Sequence, residues 1–309
     1  MQQRFKVPAS ARTAGGSALA IVTLAALTAC GGGGGNSSPA TVSSMSVAAT
    51  KYGVQALVTV TGTNLSNLAL QATGCKNITR LTAAPTASTD TTAYFSCTPS
   101  GTYSSNVLAI SNGTTLATQP LVVPAPVVTM NVSGGGGSTP VNGQIVFNLR
   151  GNLAPITVDN FLAYVNSGFY NGTIFHRIVA GFVVQGGGYT AATSGTLPTP
   201  KTTPYDPIKL ELTGGSNVQW TAAMARTADD NSATSQFFFN LVNNSAVLDK
   251  SANTDGYAVF ADVSASSAVI QAIAAATPCT ALLSNGLPLS DGSCVPVPNV
   301  TITSATQTQ

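Results

Sequence analysis

The sequence contains very little charge. Only 7% of its 309 residues are Asp, Glu, Lys or Arg, whereas ordinary globular proteins contain about 25%. Apolar residues stand at 44%, so Ser, Thr, Asn, Gly and Ala occupy the places that charged residues usually take. A long disordered chain is disfavoured, because disorder normally combines high charge with low hydrophobicity. The length favours about two folded domains.

Two further absences exclude whole classes of protein. Beyond the N-terminal region, no segment supplies the roughly 20 consecutive apolar residues that a spanning helix requires, which excludes a polytopic membrane protein. The chain has 12 Lys and Arg against 10 Asp and Glu, and no basic stripe stands out. We therefore expect no nucleic-acid partner.

Histidine is nearly absent as well. His176 is the only one, and no CxxC or Cys/His cluster with zinc spacing occurs, so we expect no metal site. A Ser–His hydrolase would need a serine nucleophile and an orienting acid, and the chain has no GxSxG motif. We expect His176 to be a buried structural residue.

The first 30 residues have the parts of an export signal. Basic Arg4, Lys6 and Arg12 precede an apolar run over residues 18–27, which is too short for a stable span. The following Leu-Thr-Ala-Cys sequence resembles the lipobox of bacterial lipoproteins, which implies cleavage of residues 1–29 and lipidation of Cys30. The alternative is an ordinary secretory signal. Gly31 after the cysteine favours the outer membrane under the enteric sorting rule.

Loss of that signal changes the charge and the cysteine inventory. Without its three basic residues the chain has nine positive and 10 negative groups, a formal charge of −1. Four cysteines then remain besides Cys30, an even number that is typical of disulfides in an exported protein. They allow three pairings. We favour Cys75–Cys97 and Cys279–Cys294, because each pair falls within one proposed domain.

The mature chain divides into a tether and two domains. Residues 30–39 are a Gly/Ser-rich flexible tether. Residues 40–124 contain short Val/Thr/Leu/Ala runs separated by turn residues, and segments 54–62, 93–97 and 106–110 are predicted strands of a small antiparallel β-sandwich. This region loosely resembles bacterial immunoglobulin-like modules. It contains no catalytic constellation, and a spacer is the simplest interpretation.

The second domain covers residues 126–309, after a Pro-Ala-Pro junction. Predicted strands at 127–132 and 143–149 flank the glycine run at 134–137 closely. We therefore interpret the glycine run as an enlarged hairpin loop rather than as an interdomain linker.

Two long segments of this domain carry a resemblance. "APITVDNFLAYVNSGFYNGTIFHRIVAGFVVQGGGYT" (residues 154–190) and "AAMARTADDNSATSQFFFNLVNNSAVLD" (residues 222–249) resemble the two halves of a cyclophilin-type peptidyl-prolyl isomerase site. "GYAVFADV" (256–263) and "NVTITSATQ" (299–307) follow where that family has its later strands. The resemblance covers about residues 127–307 and is greatest to bacterial members.

The resemblance implies a mainly β fold, an eight-stranded antiparallel barrel with two capping helices. The residue patterns agree with it. Apolar residues at helical spacing predict a helix over residues 157–167, and a second helix is expected near 268–275. Strands are predicted at 174–178, 182–185 and 235–242. In the last of these, alternation directs Phe237 and Phe239 to one side and Phe238 to the other.

The activity implied by the resemblance is rotation about X–Pro peptide bonds. That reaction breaks no covalent bond, so it needs neither a nucleophile nor a cofactor. A fixed guanidinium can donate a hydrogen bond to the imide nitrogen when the twisted bond loses its resonance. In the family's motif that residue is Arg177, which stays protonated at any periplasmic pH.

The other site residues are transferred by position. Gln185 is expected to bond the substrate backbone and orient Arg177, and the backbone of Ala225 and Arg226 to hold the peptide as an extended strand. Gln236 is expected beside the groove. The remaining residues implied to bind substrate around the proline pocket are Phe182, Val183, Phe238, Val247, Leu248 and Tyr257.

Two positions depart from many eukaryotic members. Val247 stands where they carry Trp, and Tyr257 stands where they carry His. Loss of the indole donor predicts weak cyclosporin binding. We expect no loss of catalysis from it, although the smaller Val247 is expected to loosen the rim of the pocket.

These observations lead to three functional hypotheses. The first is a monomeric, lipid-anchored isomerase of the bacterial envelope that faces the periplasm, sits at the outer membrane and acts on proline-containing polypeptide clients. The second is a noncatalytic peptide-binding module with the same groove. The third is an envelope scaffold in which residues 40–124 are the working part.

Overall fold

The computed structural model describes residues 38–48, 50–136, 140–191, 198–277, 279–281, 283–284, 287–288 and 292–309. The predicted signal peptide (1–29), Cys30 and most of the tether lie outside these ranges. Within them, no helix combines the length and the apolar character needed to cross a bilayer.

Seven strands build two antiparallel sheets in the N-terminal part. They are β1 (Thr41–Val47), β2 (Ala56–Thr63), β3 (Ala69–Ala72), β4 (Cys75–Arg80), β5 (Thr92–Pro99), β6 (Ser104–Ser111) and β7 (Thr114–Val122). One sheet has the order β1-β2-β5-β4 and the other β3-β6-β7. Inward side chains of both sheets, such as Val58 on β2 and Val107 on β6, belong to one hydrophobic cluster. The immunoglobulin-like relationship stays a prediction.

The rest of the chain contains thirteen strands and three helices among the described residues. The strands are β8 (Val127–Gly134), β9 (Val141–Leu149), β10 (Thr173–Val179), β11 (Val183–Thr190), β12 (Thr199–Pro200), β13 (Thr221–Met224), β14 (Phe237–Asn240), β15 (Val259–Asp262), β16 (Cys279–Ala281), β17 (Leu283–Ser284), β18 (Leu287–Pro288), β19 (Cys294–Pro296) and β20 (Val300–Gln307). The helices are α1 (Pro155–Asn166), α2 (Ser245–Leu248) and α3 (Ser267–Ala274).

Eight of these strands close into an antiparallel barrel. Their order is β11-β14-β13-β15-β9-β8-β20-β10, and β10 pairs with β11 to complete the ring. β8 and β9 pair directly along their full length, as expected for a hairpin around the glycine run, of which residues 137–139 lie outside the described ranges. Closure leaves the barrel wall without free edges, which removes sites for unwanted strand pairing.

The two predicted helices are present within two residues of the expected bounds. α1 starts at Pro155, whose fixed φ suits the first turn. The apolar face of α1 includes Val158, Phe161 and Leu162, all of which are buried. The predicted strand 235–242 is shorter than expected, since β14 covers Phe237–Asn240, and the short helix α2 that follows it was not predicted.

An aromatic cluster fills the barrel interior. Phe237 and Phe239 are fully buried, and both rings contact Phe147, the former edge-on at 5.6 Å between centroids. Phe238 points the other way and belongs to a separate small cluster. The predicted alternation along β14 is therefore confirmed.

Both favoured disulfides are present. Cys75 is linked to Cys97 across β4 and β5, and Cys279 to Cys294 across β16 and β19. In each case the two Cα atoms are 5.5 Å apart, which is within the usual range for a disulfide.

Residues 38–309 form one compact unit, in which the N-terminal sheets contact the barrel directly. Tyr52 is fully buried at this junction, where its hydroxyl donates to the Gly151 carbonyl at 2.9 Å and accepts from the Gly101 N–H at 2.8 Å. Nearby, Lys76 forms an ion pair of 2.6 Å with Asp159 on α1. The division into separate domains at residues 124–126 stays a prediction, but these contacts do not suit a free spacer.

Candidate active site

A β-bulge turns Arg177 out of the barrel. In the pairing of β10 with β11, Phe175 lies opposite Gly186 and Arg177 opposite Gln185, so His176 is an extra residue between consecutive pairs. In a regular strand, residues two apart face the same side. The bulge breaks that alternation, as bulges do beside many active sites. Phe175 is consequently buried in the core, whereas Arg177 is partly exposed and lines a cavity.

The guanidinium of Arg177 is held by side chains from two neighbouring strand regions. Nη1 donates to Oε1 of Gln185 at 3.3 Å, and Nε donates to Oγ of Ser293 at 3.2 Å. Gln185 is oriented in turn, since its Nε2 donates to Oε1 of Gln236 at 3.0 Å. Two separate contacts therefore fix the plane of the guanidinium.

The site is built on a row of residues that crosses five strands. Arg177 lies opposite Gln185, Gln185 opposite Phe238, Phe238 opposite Ala223, and Ala223 opposite Val259. Directly opposed residues share one face of a sheet. The apolar members of the row belong to a cluster distinct from the barrel core. On the outer face of the sheet, the row therefore begins with the charged Arg177 and continues to the apolar residues Phe238, Ala223 and Val259.

A cavity of about 320 Å³ lies over this row. Nine of the eleven predicted site residues line it, namely Arg177, Phe182, Val183, Gln185, Ala225, Arg226, Phe238, Leu248 and Tyr257. The volume is at the lower end of the range for small-molecule pockets, which is suitable for a proline ring and part of its backbone.

Phe238 and Tyr257 form an aromatic wall of the cavity, and Arg226 packs against it. The rings of Phe238 and Tyr257 meet edge-on at 5.6 Å. The guanidinium of Arg226 lies 4.8 Å over the Tyr257 ring, donates to the Gly256 carbonyl at 3.0 Å and forms an ion pair of 3.3 Å with Asp230. This side chain therefore supports the wall.

Backbone gripping by residues 225–226 is limited by internal pairing. The Ala225 N–H already donates to the carbonyl of Gln236 at 2.9 Å. A bound peptide strand would have to use other backbone groups of this segment, such as the Ala225 carbonyl.

Two predicted residues lie outside the cavity lining. Val247 is 58% exposed on α2, and Gln236 lies behind Gln185, which it contacts. A role of Gln236 at the groove stays a prediction.

His176 is buried, as predicted, and does not line the cavity. Its pKa is lowered to about 4, chiefly by burial and also by the neighbouring positive charge of Arg177, while hydrogen bonding to the Ile174 backbone and the Gln236 side chain acts in the opposite direction. Its ring packs on Tyr189 with centroids 4.3 Å apart. The imidazole is therefore neutral at physiological pH and adds no second charge beside the arginine.

A chain of buried asparagines that the sequence reading missed fixes the loops around the cavity. Asn217 donates through Nδ2 to Asp249 at 2.9 Å and to the carbonyls of Leu248 and Tyr257 at 3.2 Å. Asn240 donates to Asn217, and Asn244 donates to Asn240 and to the Phe182 carbonyl. The only sequence signal was a polar residue at the end of the apolar FFF run. Ser293 gave no signal, because 116 residues separate it from Arg177.

Comparisons with known proteins agree on one family. Residues 128–307 match the family described as cyclophilin type peptidyl-prolyl cis-trans isomerase/CLD. Peptidyl-prolyl cis-trans isomerase A of Dickeya dadantii is 48% identical over 122 residues, which cover 39% of this chain and 60% of that protein. Isomerase cyp18 of Streptomyces antibioticus is 46% identical over 134 residues, or 42% of this chain and 77% of that protein. Isomerase B of Escherichia coli K12 is 45% identical over 125 residues, or 40% and 73%.

A solved structure gives a weaker likeness. The crystal structure of a cyclophilin type isomerase from Cryptosporidium parvum covers 60% of this chain and 98% of its own, with 17% identity and a TM-score of 0.42.

Proposed function

Since the chain belongs to the cyclophilin-type peptidyl-prolyl cis-trans isomerase family, we propose that it catalyses rotation about X–Pro bonds in polypeptide clients. The observation that supports this proposal is the position of Arg177. Its guanidinium lies at one end of a cavity of about 320 Å³, beside Gln185 and in the same cross-strand row as Phe238.

The chemistry requires only preferential binding of the twisted bond. Rotation about a peptide bond meets a barrier of roughly 18–20 kcal/mol, because it destroys amide resonance. In the twisted state the imide nitrogen becomes pyramidal and gains a lone pair, to which Arg177 can donate a hydrogen bond. An anchored donor needs little reorganisation at that moment, so it stabilises the transition state more than the ground state.

The apolar residues have a separate role in this proposal. Phe238, Leu248 and Phe182 line the cavity and accept the proline ring, while the peptide backbone lies toward Gln185. Burial of the ring fixes the axis of rotation relative to Arg177. This arrangement converts binding energy into orientation of the reacting bond.

A proline tetrapeptide assay on the full mature chain tests the proposal. We expect Arg177→Ala to lower kcat/KM by about 100-fold, the effect of removing one preorganised donor. Arg80→Ala is the matched control, since Arg80 is also a half-buried arginine bonded to a carbonyl, but in the N-terminal part. Equal inactivity of wild type and Arg177→Ala would show that the enzyme proposal is wrong and leave the noncatalytic binding module. Full activity of Arg177→Ala would reject only the role of the arginine.

We further propose that the protein is lipid-anchored through Cys30 in a bacterial envelope, faces the periplasm and assists folding of exported proteins. The lipobox-like sequence supports the anchor, and two disulfides suit an oxidising compartment. Labelling with a radioactive fatty acid tests this proposal. The label should be lost in Cys30→Ser and retained in wild type, and an unlabelled wild-type protein in the soluble periplasmic fraction would contradict it.

A further inference from the structure

Ser293 contacts Arg177 from the side opposite to Gln185. Its side chain is 1% exposed, and its Oγ accepts a hydrogen bond from Arg177 Nε at 3.2 Å. Ser293 immediately precedes Cys294, which lies opposite Ile178 in the pairing of β19 with β10. One strand contact thus places the hydroxyl beside the arginine.

The disulfide at Cys294 holds this segment. β19 pairs with β10 at a single register position, Ile178 with Cys294, so the ladder alone gives little restraint. Cys294 is bonded covalently to Cys279, 15 residues earlier, and β16 pairs with β19 over three positions. The disulfide and this pairing therefore restrict the movement of the segment that carries Ser293.

We propose that Ser293 is a positioning residue for Arg177 and that the Cys279–Cys294 disulfide holds Ser293 in its working position. This inference rests on the proposed isomerase function. Gln185 holds one terminal nitrogen of the guanidinium and Ser293 holds Nε, so the two contacts together restrict rotation about the last side-chain bonds. With Ser293 removed, the guanidinium would lose the contact that holds its Nε.

The first test compares Ser293→Ala with Ser293→Thr in the tetrapeptide assay. Loss of the hydroxyl is expected to lower kcat roughly tenfold, the order of a hydrogen bond to a charged group, with KM changed less than twofold. Ser293→Thr keeps the hydroxyl and should recover most of the activity. An unchanged kcat in Ser293→Ala would overturn the inference.

A double-mutant cycle separates positioning from general damage. If Ser293 acts through Arg177, then Ser293→Ala should cause no further loss in an Arg177→Ala background. A further tenfold loss in that background would contradict the inference, because Ser293 would then act by another route. If wild type is active and Ser293→Ala has the same kcat, the positioning role of Ser293 is wrong and the proposed isomerase function stands. If wild type itself is inactive, both the positioning role and the isomerase function are wrong.

The second test concerns the disulfide. The Cys279→Ser/Cys294→Ser variant should have a lowered kcat that matches Ser293→Ala and does not respond to reductant. The matched control is Cys75→Ser/Cys97→Ser, which lacks the other disulfide and should lose activity only when reductant is added. Trp220 fluorescence monitors folding of the barrel. If the double cysteine variant unfolds, Ser293→Ala still tests the positioning role of Ser293. Wild-type kcat in Cys279→Ser/Cys294→Ser would reject the role of the disulfide.

Discussion

Replacement of Tyr52 by Phe is expected to destabilise the whole folded unit. The hydroxyl of Tyr52 bonds at once to the N-terminal part, at Gly101, and to the barrel, at Gly151. Gly151 is buried, so its carbonyl would lose a partner without gaining water, whereas the Gly101 N–H is half exposed and can be hydrated. One unsatisfied buried group costs about 1–3 kcal/mol.

The ring of Tyr52 adds steric restraint at the same place. A Cβ added at Gly151 would lie 2.7 Å from Cζ of Tyr52, which is closer than atoms can approach. Gly151→Ala should therefore destabilise the protein by displacing the ring, and the cost should fall when Tyr52 is replaced by Ala, which vacates that space. Such coupling is expected between residues in direct contact.

Urea unfolding followed by two probes measures these effects. The only tryptophan, Trp220, precedes β13 and reports on the barrel, while far-UV circular dichroism reports on both parts. Tyr94→Phe is the matched control, because no hydrogen bond of the Tyr94 hydroxyl occurs among the described residues. We expect a loss of about 1–3 kcal/mol in Tyr52→Phe and almost none in the control. An unfolding free energy of Tyr52→Phe equal to that of the control would refute this reasoning, and separate transitions for the two probes in wild type would show that the two parts unfold independently.

Three further predictions concern pH and stability. His176 has a pKa of about 4 in the folded protein and an ordinary pKa of about 6.5 in the unfolded chain, so between these values the unfolded chain binds a proton that the folded protein does not. The free energy of unfolding should therefore fall by about 3 kcal/mol as the pH drops to 4. His176→Gln should remove most of this dependence of the unfolding free energy on pH. The Glu211 carboxylate accepts a hydrogen bond from the Thr157 N–H at 2.9 Å at the start of α1. Glu211→Ala should therefore lower the free energy of unfolding in urea by about 1 kcal/mol, and the control Asp206→Ala, at an exposed position, should leave it almost unchanged. Asn217→Ala should cost about 2–3 kcal/mol and raise KM, because it frees the loops at Leu248 and Tyr257; an unchanged KM would contradict that role.

Much of the fold follows from local patterns in the sequence. Alternation along β14 was sufficient to direct Phe237 and Phe239 inward and Phe238 outward, because the side-chain period of a strand is two. Helical spacing located α1 for the corresponding reason, whereas α3 was expected from the family resemblance. Short sequence separation also favoured the two disulfides that the structure contains.

The residues of the candidate site were transferred from the resemblance, and their arrangement needed the structure. Val247 was expected at the rim of the proline pocket; it is 58% exposed on α2, a helix too short to give a periodic signal, and its contact with substrate stays a prediction. The bulge at His176 was invisible, because β10 on its own has an ordinary strand pattern. Only pairing with Gln185 reveals the extra residue that turns Arg177 outward.

The sequence by itself was sufficient to show the scarcity of charge, to predict strands and a helix from the spacing of apolar residues, and to identify the family motif that contains Arg177 and Gln185. Tertiary structure decided that Tyr52 joins the N-terminal sheets to the barrel, that Asn217 ties the cavity loops together, and that Ser293 supports the arginine. The physical reason is the range of the interactions. Periodicity reports which face of an element is buried. The partner of a buried polar atom depends instead on strand register and chain closure, over 116 residues for Arg177 and Ser293.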